Sequence, residues 1–192
     1  MYNRSGKRID ILIKVLRKDL GEMKIVLAGT GSKLPSKVLT NDDLARIVDT
    51  SDEWISQRTG IKQRRIVDEN ENLVSLSYEA AKEALKESKI EGKDLGLIVV
   101  GTSTPDKRFP NTACEIQALL GVSECVGIDV SAACSGFVYA LSVAYSMMNT
   151  LDIKNALVVG GDVLSRELDW SDRSTSGWRG PRHSRKAAVR CH

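Results

Sequence analysis

Three strongly apolar runs do most to limit the folds that this chain can adopt. They occupy residues 95–100, 126–130 and 156–161, and they are rich in valine, leucine and isoleucine. Such runs are typical of strands that are covered on both faces, as in a parallel sheet. Segments with helical character separate them, so the pattern predicts an α/β fold with a largely parallel central sheet and right-handed crossovers.

Other segments add a first strand and several helices. Residues 24–28 are apolar and predict the first strand. Two short helices are expected after Thr40 and after Thr50, and Gly60 is expected to end the second one. Residues 75–89 predict a surface helix that turns its apolar residues inward, namely Leu76, Ala80, Ala84 and Leu85.

Composition and charge exclude several classes of function. The net charge is +3, but residues 176–192 hold five basic and no acidic residues, whereas residues 23–175 hold 17 basic and 22 acidic ones. The body offers no basic patch interleaved with aromatic residues, so no nucleic-acid partner is expected. No stretch has the length of a membrane span, and no secretory signal or metal-binding cysteine spacing is present. The composition fits a soluble globular protein, and we expect a cytoplasmic location with reduced thiols, without a membrane partner or a metal.

The chain divides into three segments by its character. Residues 1–22 are basic, and their apolar spacing would allow a short amphipathic helix or a membrane-surface contact, although a loosely attached extension or a wrongly assigned start is favoured. Residues 23–175 form the expected domain. Residues 176–192 have no usable periodicity, and we expect a disordered or frameshifted tail.

Cys134 stands where the second apolar run turns into a helix. Its neighbours Ala133, Ser135 and Gly136 are small and leave room for a ligand. A thiol at a helix N-terminus feels the positive end of the helix dipole, which favours the nucleophilic thiolate. The alternative is an inert, buried thiol, and the stretch alone favours that alternative because free cysteines are usually buried.

Residues 23–175 resemble β-ketoacyl-[acyl-carrier-protein] synthase III, the condensing enzyme that initiates bacterial type II fatty acid synthesis. The resemblance rests on three ordered strings: Thr-Ser-Asp-Glu-Trp-Ile from Thr50 with Arg-Thr-Gly-Ile from Arg58, Ala-Ala-Cys-Ser-Gly-Phe around Cys134, and Gly-Asp-Val-Leu-Ser from Gly161 with Asp172-Arg173. It implies a thiolase-like, layered αβαβα fold of two similar halves, of which this chain holds the N-terminal one.

The resemblance also implies a mechanism and a set of partners. Cys134 would be acylated by a short acyl-CoA, which is a substrate and not a cofactor, and malonyl-acyl carrier protein would then condense with the acyl group and lose carbon dioxide. By their positions in the matching strings, four residues would bind CoA. Trp54 would stack on the adenine, with Arg173 on its other face. Arg58 would meet the phosphates, and Thr50 would lie beside them.

Two further implications concern the dimer and the missing residues. Phe109 matches a residue that crosses the homodimer interface towards the partner's acyl pocket, and its alternative is an ordinary core phenylalanine. The family's catalytic histidine and asparagine lie in the other half, and this sequence has only His183 and His192, both in the tail. We therefore expect a truncated, poorly soluble and inactive product. A polyketide-type condensing enzyme and a non-catalytic dimerising fragment are the alternatives.

Overall fold

The computed structural model describes residues 11–19 and 24–171, which belong to two compact units. The first unit comprises the described residues up to Leu34 together with Glu69–Asp162, and the second comprises Pro35–Asp68 and the described residues from Val163 onward. No helix among the described residues is long and apolar enough to cross a membrane.

Strands and helices alternate along most of the described chain. In chain order the elements are β1 (Ile11–Asp19), β2 (Lys24–Gly31), β3 (Lys37–Thr40), α1 (Asn41–Ala45), α2 (Asp52–Thr59), β4 (Gln63–Ile66), α3 (Leu73–Ser88), β5 (Leu97–Gly101), α4 (Thr112–Leu120), β6 (Val126–Val130), α5 (Gly136–Thr150) and β7 (Asn155–Gly161).

The first unit is built on a five-stranded sheet in the order β2-β1-β7-β5-β6. Strand β5 pairs in parallel with β6 and with β7, whereas β1 pairs antiparallel with β2 and β7. Four of the five strands therefore run in one direction, which confirms the expected α/β class with a largely parallel sheet. The strand β6 was expected to be buried, but it lies at the edge of this sheet and Val126 is 39% exposed.

The N-terminal strand β1 corrects the expectation of a loosely attached extension or an amphipathic helix. Residues 11–19 lie inside the sheet, and β1 is the strand through which β2 is joined to β7. The apolar residues Ile11, Ile13 and Val15 recur with a period of two, which is the signal of a strand. The extension was misread because its basic residues made a surface helix plausible. The rest of residues 1–22 lies outside the described chain.

Helices cover both faces of the sheet. One face carries α5, whose Ala140, Ala144 and Met148 are fully buried against Leu97 and Val158. The side chains of β5 and β7 alternate between the faces, and the opposite face contacts α3 and α4. The four residues expected to face inward from α3 are all buried, as predicted.

The N-terminus of α5 lies directly on the end of β5. A Cβ atom added at Gly101 would clash with the backbone carbonyl group of Gly136, so only glycine allows this approach. The neighbouring strand β7 has a similar glycine, Gly160, against the side chain of Phe137. This contact fixes the position of the turn that contains Cys134.

The second unit contains a two-stranded antiparallel sheet, β3–β4, and the two short helices that lie between these strands in the chain. Thr40 caps α1 through a reciprocal capping box with Asp43, and Ser51 caps α2, which ends at Gly60 with a φ of 70°. Both helices pack around Leu44 and Ile55, which are fully buried. The predicted start and end of the second helix are thus confirmed.

Candidate active site

Cys134 lies in a 3₁₀ turn, Ala133–Ser135, that leads directly into α5. The residue is exposed and its thiol is free. The expectation that this thiol is buried is therefore wrong. The sequence placed this residue correctly at the junction of a strand and a helix.

The turn stands at the edge where three parallel strands end. Strands β5, β6 and β7 finish at Gly101, Val130 and Gly161, and the backbone N–H of Thr102 donates to the carbonyl oxygen of Val130 at 3.1 Å. Ligand sites in parallel sheets form outside the carboxyl ends of the strands. Cys134 therefore stands where this architecture places reactive groups.

Asp162, directly after β7, organises the loop that follows β5. Its Oδ1 atom accepts hydrogen bonds from the backbone N–H of Ser103 at 2.7 Å, from Oγ1 of Thr102 at 3.1 Å and from Oγ1 of Thr104 at 3.3 Å. Hydrogen bonds to a carboxylate are stronger than those between neutral groups. The carboxylate therefore holds the first residues of this loop in one conformation.

The same loop is bonded to the turn that contains Cys134. The hydroxyl oxygen of Ser103 accepts a hydrogen bond from the backbone N–H of Ala133 at 3.1 Å. Ala133 has a φ of 45°, a left-handed conformation that costs an alanine about 1–2 kcal/mol. Sequence reasoning missed Asp162 and Ser103 as site residues, although Asp162 belongs to the Gly-Asp-Val-Leu-Ser string.

The two other described cysteines differ from Cys134. Cys114 and Cys125 are half-buried, whereas Cys134 is exposed. Burial, with a smaller contribution from Cys114, raises the pKa of Cys125 to about 11. Because the thiolate is the nucleophilic form, Cys125 is a poor nucleophile at neutral pH.

In the second unit, Trp54 and Arg58 lie four residues apart and share one face of α2. The guanidinium carbon of Arg58 lies 4.5 Å from the centroid of the Trp54 ring. Trp54 is half-buried against the small core of this unit, whereas Arg58 is exposed. The pair therefore presents a cation beside an anchored aromatic ring, a combination that suits a nucleotide with phosphate groups.

Asn41 and Asp52 form a polar centre beside this pair that sequence reasoning did not identify. Asn41 is buried, and its amide nitrogen donates to Asp52 at 2.7 Å while its amide oxygen accepts from Arg64 at 2.8 Å. The hydrogen bond from Asn41, followed by those from Ser56 and Lys62, lowers the pKa of Asp52. Asp52 therefore fixes the start of α2. Within the Thr-Ser-Asp-Glu-Trp-Ile string, this residue has a structural role.

The remaining predicted site residues have different placements. The hydroxyl oxygen of Thr50 is buried and has no hydrogen-bond partner among the described residues. Phe109 is 88% exposed, so the alternative of an ordinary core phenylalanine is wrong. Arg173 lies outside the described residues.

Comparison with known proteins finds similar sequences in one family. The family model for 3-oxoacyl-[acyl-carrier-protein (ACP)] synthase III matches residues 128–180. A β-ketoacyl-[acyl-carrier-protein] synthase III of Xylella fastidiosa (strain 9a5c) is 60% identical over 149 residues, which cover 78% of this chain and 46% of that protein. The corresponding protein of Aquifex aeolicus (strain VF5) is 53% identical over 149 residues, 78% of this chain and 48% of its own length.

Solved structures agree in fold. The 3-oxoacyl-[acyl-carrier-protein] synthase III of Aquifex aeolicus VF5 has a TM-score of 0.75 at 52% identity and covers 80% of this chain and 50% of that one. The priming β-ketosynthase of the R1128 polyketide pathway has a TM-score of 0.76 at 32% identity. The match covers 80% of this chain and 46% of that one.

The sheet, its covering helices and the cysteine turn, with these structural matches, define a fold of the thiolase-like class. Within that class, the chain belongs to the β-ketoacyl-[acyl-carrier-protein] synthase III family. It spans about half the length of the curated relatives it matches.

Proposed function

We propose that Cys134 is the acyl acceptor of a β-ketoacyl-[acyl-carrier-protein] synthase III reaction. The exposed thiol at the carboxyl edge of three parallel strands is the single observation that carries this proposal. Family membership supports it, because it specifies a condensing chemistry in fatty acid synthesis. A reduced, cytoplasmic environment suits the reaction, since the nucleophile must remain a thiol.

The first half-reaction is an acyl transfer. The sulfur of Cys134 attacks the thioester carbonyl of acyl-CoA, a new carbon–sulfur bond forms, and the CoA thiolate leaves. The developing negative charge on the carbonyl oxygen needs a hydrogen-bond donor, and the backbone N–H of Cys134 at the start of the helix is our candidate. No cofactor is needed in this step.

The second half-reaction joins two carbon units. Malonyl-acyl carrier protein loses carbon dioxide, and the resulting carbanion attacks the acyl group on Cys134. This step yields 3-ketoacyl-acyl carrier protein and returns the thiolate. In the family a histidine and an asparagine assist it, and residues 23–175 contain no histidine. We therefore propose that the 192-residue chain alone is acylated but does not complete the condensation.

The second unit supplies the proposed CoA contacts. The ring of Trp54 offers a stacking surface for adenine, with Arg173 as the expected second layer, and Arg58 offers a charge for phosphate. Thr50, whose buried hydroxyl group has no hydrogen-bond partner among the described residues, is proposed to lie beside these phosphates. Phe109, which is almost fully exposed, is the proposed contact with a second copy in the intact dimer.

Acylation of the purified chain by acetyl-CoA tests the proposal directly. Intact-mass spectrometry is expected to detect one acetyl group, free CoA is expected to appear in equal amount, and Cys134→Ala is expected to abolish both. Addition of malonyl-acyl carrier protein is expected to give no 3-ketoacyl product. An unmodified wild-type chain would refute the acyl-acceptor role, and a 3-ketoacyl product would refute the limitation to one half-reaction.

A panel of acyl-CoA thioesters separates the alternatives. Structural likeness to the priming β-ketosynthase of the R1128 pathway favours a polyketide-type enzyme as the second candidate. Preference for acetyl-CoA supports a condensing enzyme of fatty acid synthesis, whereas preference for longer acyl groups supports a polyketide-type condensing enzyme. A dimer in native mass spectrometry that is unaffected by Cys134→Ala, together with no acylation, supports a non-catalytic fragment.

A further inference from the structure

We propose that Ser103 and Asp162 are positioning residues, which hold the turn before Cys134 in the conformation that presents its thiol. This inference rests on the proposed function of Cys134 as acyl acceptor. It adds two residues that act through the backbone of Ala133.

The evidence is a continuous chain of hydrogen bonds from the end of β7 to the turn. Asp162 accepts from the backbone N–H of Ser103 at 2.7 Å, and the hydroxyl oxygen of Ser103 accepts from the backbone N–H of Ala133 at 3.1 Å. Ala133 is bonded covalently to Cys134. Two hydrogen bonds therefore connect the carboxylate that follows β7 to the residue adjacent to the nucleophile.

The conformation of Ala133 explains why the turn needs this support. A left-handed backbone is unfavourable for any residue with a side chain, and it persists only where its surroundings hold it. Ala132 is also outside the regular helical and extended regions, with φ −148° and ψ 33°. Without an acceptor for the N–H of Ala133, we expect this turn to relax and Cys134 to change its orientation.

Asp162 holds Ser103 more firmly than solvent could. Its Oδ1 atom also accepts from Thr102, a residue that is buried at the end of β5. The loop is thereby fixed at two successive residues, and the hydroxyl group of Ser103 is directed towards the turn. An exposed serine without this anchoring would rotate freely between water and the turn.

The test compares Ser103→Ala with a matched control. Ser142→Ala removes the same atom from an exposed serine of α5, whose hydroxyl group donates to the carbonyl oxygen of Val138 in its own helix. The acylation rate at saturating acetyl-CoA is expected to fall about tenfold in Ser103→Ala, with the half-saturating concentration unchanged, in line with the loss of one hydrogen bond. Ser142→Ala is expected to keep both values.

Two further variants separate positioning from general stability. Ser103→Thr retains a hydroxyl oxygen and is expected to restore most of the rate, since residue 103 is exposed and has room for a methyl group. Asp162→Asn retains an acceptor oxygen but loses the charge. We expect it to lower the acylation rate as well, by a smaller factor than Ser103→Ala. Thermal unfolding midpoints of Ser103→Ala and Ser142→Ala are expected to agree.

A second readout keeps this inference distinct from the proposed function. The alkylation rate of Cys134 by iodoacetamide, followed by peptide mass spectrometry, does not require acyl transfer. Ser103→Ala is expected to slow it relative to Ser142→Ala. If the wild-type chain is not acylated but this difference appears, the acyl-acceptor role fails and the positioning role stands. Equal alkylation and equal acylation rates in the two variants would overturn the positioning role.

Discussion

Arg58 stacks over Trp54, with its guanidinium carbon 4.5 Å from the ring centroid. The two residues are one helical turn apart on α2, and Trp54 is anchored in the core of the second unit while Arg58 remains exposed. The arrangement holds a long, flexible cation close to one flat surface.

Replacement of Arg58 by glutamine tests this charge. Arg58→Gln is expected to weaken CoA binding and to make it less dependent on salt, because one contact between opposite charges is lost. Isothermal titration calorimetry at low and high salt measures both effects. The matched control is Lys82→Gln, which removes a cation 4.8 Å from the ring of Tyr78 in the first unit and should leave CoA binding unchanged. Equal affinities for Arg58→Gln and wild type would exclude a phosphate contact.

The pH dependence of stability is expected to reflect Asp52. Hydrogen bonds from Asn41, Ser56 and Lys62 lower the pKa of Asp52 in the folded chain. The unfolded chain therefore takes up this proton first, so the contribution of Asp52 is present above its unfolded pKa and is lost as the pH falls through its folded pKa. Thermal unfolding between neutral and acidic pH should give a flatter profile for Asp52→Asn. If the unfolding temperatures of Asp52→Asn and wild type fall equally steeply with pH, this role of Asp52 is contradicted.

The thiol of Cys125 is expected to react slowly at neutral pH. Its pKa of about 11 results mainly from burial, so its thiolate becomes abundant only in strongly alkaline solution. Labelling with iodoacetamide and peptide mass spectrometry should give a rate for Cys125 that is still rising at pH 10. N-acetylcysteine in the same samples is the control, and its rate should level off earlier. A plateau for Cys125 near pH 9 would refute the prediction.

The close approach of β5 and α5 is expected to exclude any side chain at Gly101. Gly101→Ala forces a methyl group into the backbone of Gly136 and should destabilise the chain by about 1–3 kcal/mol. Gly92→Ala is a milder comparison, since its new carbon would lie 3.3 Å from the nearest atom, the carbonyl oxygen of Leu120. Urea unfolding measures the free energy of unfolding of both variants. Equal stabilities would mean that α5 can shift away from the sheet at little cost.

The role of β1 is expected to depend on its backbone. Val15 pairs with Gly29 on one side and Leu157 on the other. Val15→Pro removes a donor from this ladder and should lower the free energy of unfolding by at least about 2 kcal/mol. Val15→Thr keeps the donor and the branched shape, and it should retain most of the stability. A proline variant as stable as the threonine variant would show that β1 is dispensable.

Local signals in the sequence were sufficient for the elements near the site. The apolar run before Cys134 and the uncharged helix after it predicted the junction, and the helix signals after Thr50 predicted the helix that carries Trp54 and Arg58. Caps at Thr40 and Gly60 were readable because they depend on one or two neighbouring residues. Such features are encoded within a single turn or strand.

Features that depend on distant residues were not predictable in the same way. Residues 11–19 had the period of a strand, but only pairing with β2 and β7 determined that they lie within the sheet. Val126 looked like a core residue, yet it is partly exposed because β6 lies at the sheet edge. The sequence gives no direct signal of which strand has a neighbour on each side.

The nucleophile candidate was thus determined by sequence, and its setting by tertiary structure. Cys134 is identified by its small neighbours and by the strand-to-helix pattern. Its support by Ser103 and Asp162 comes from residues 31 and 28 positions away, which meet the turn only because parallel strands end at one edge. Hydrogen bonds over such separations depend on the completed sheet, and no local pattern encodes them.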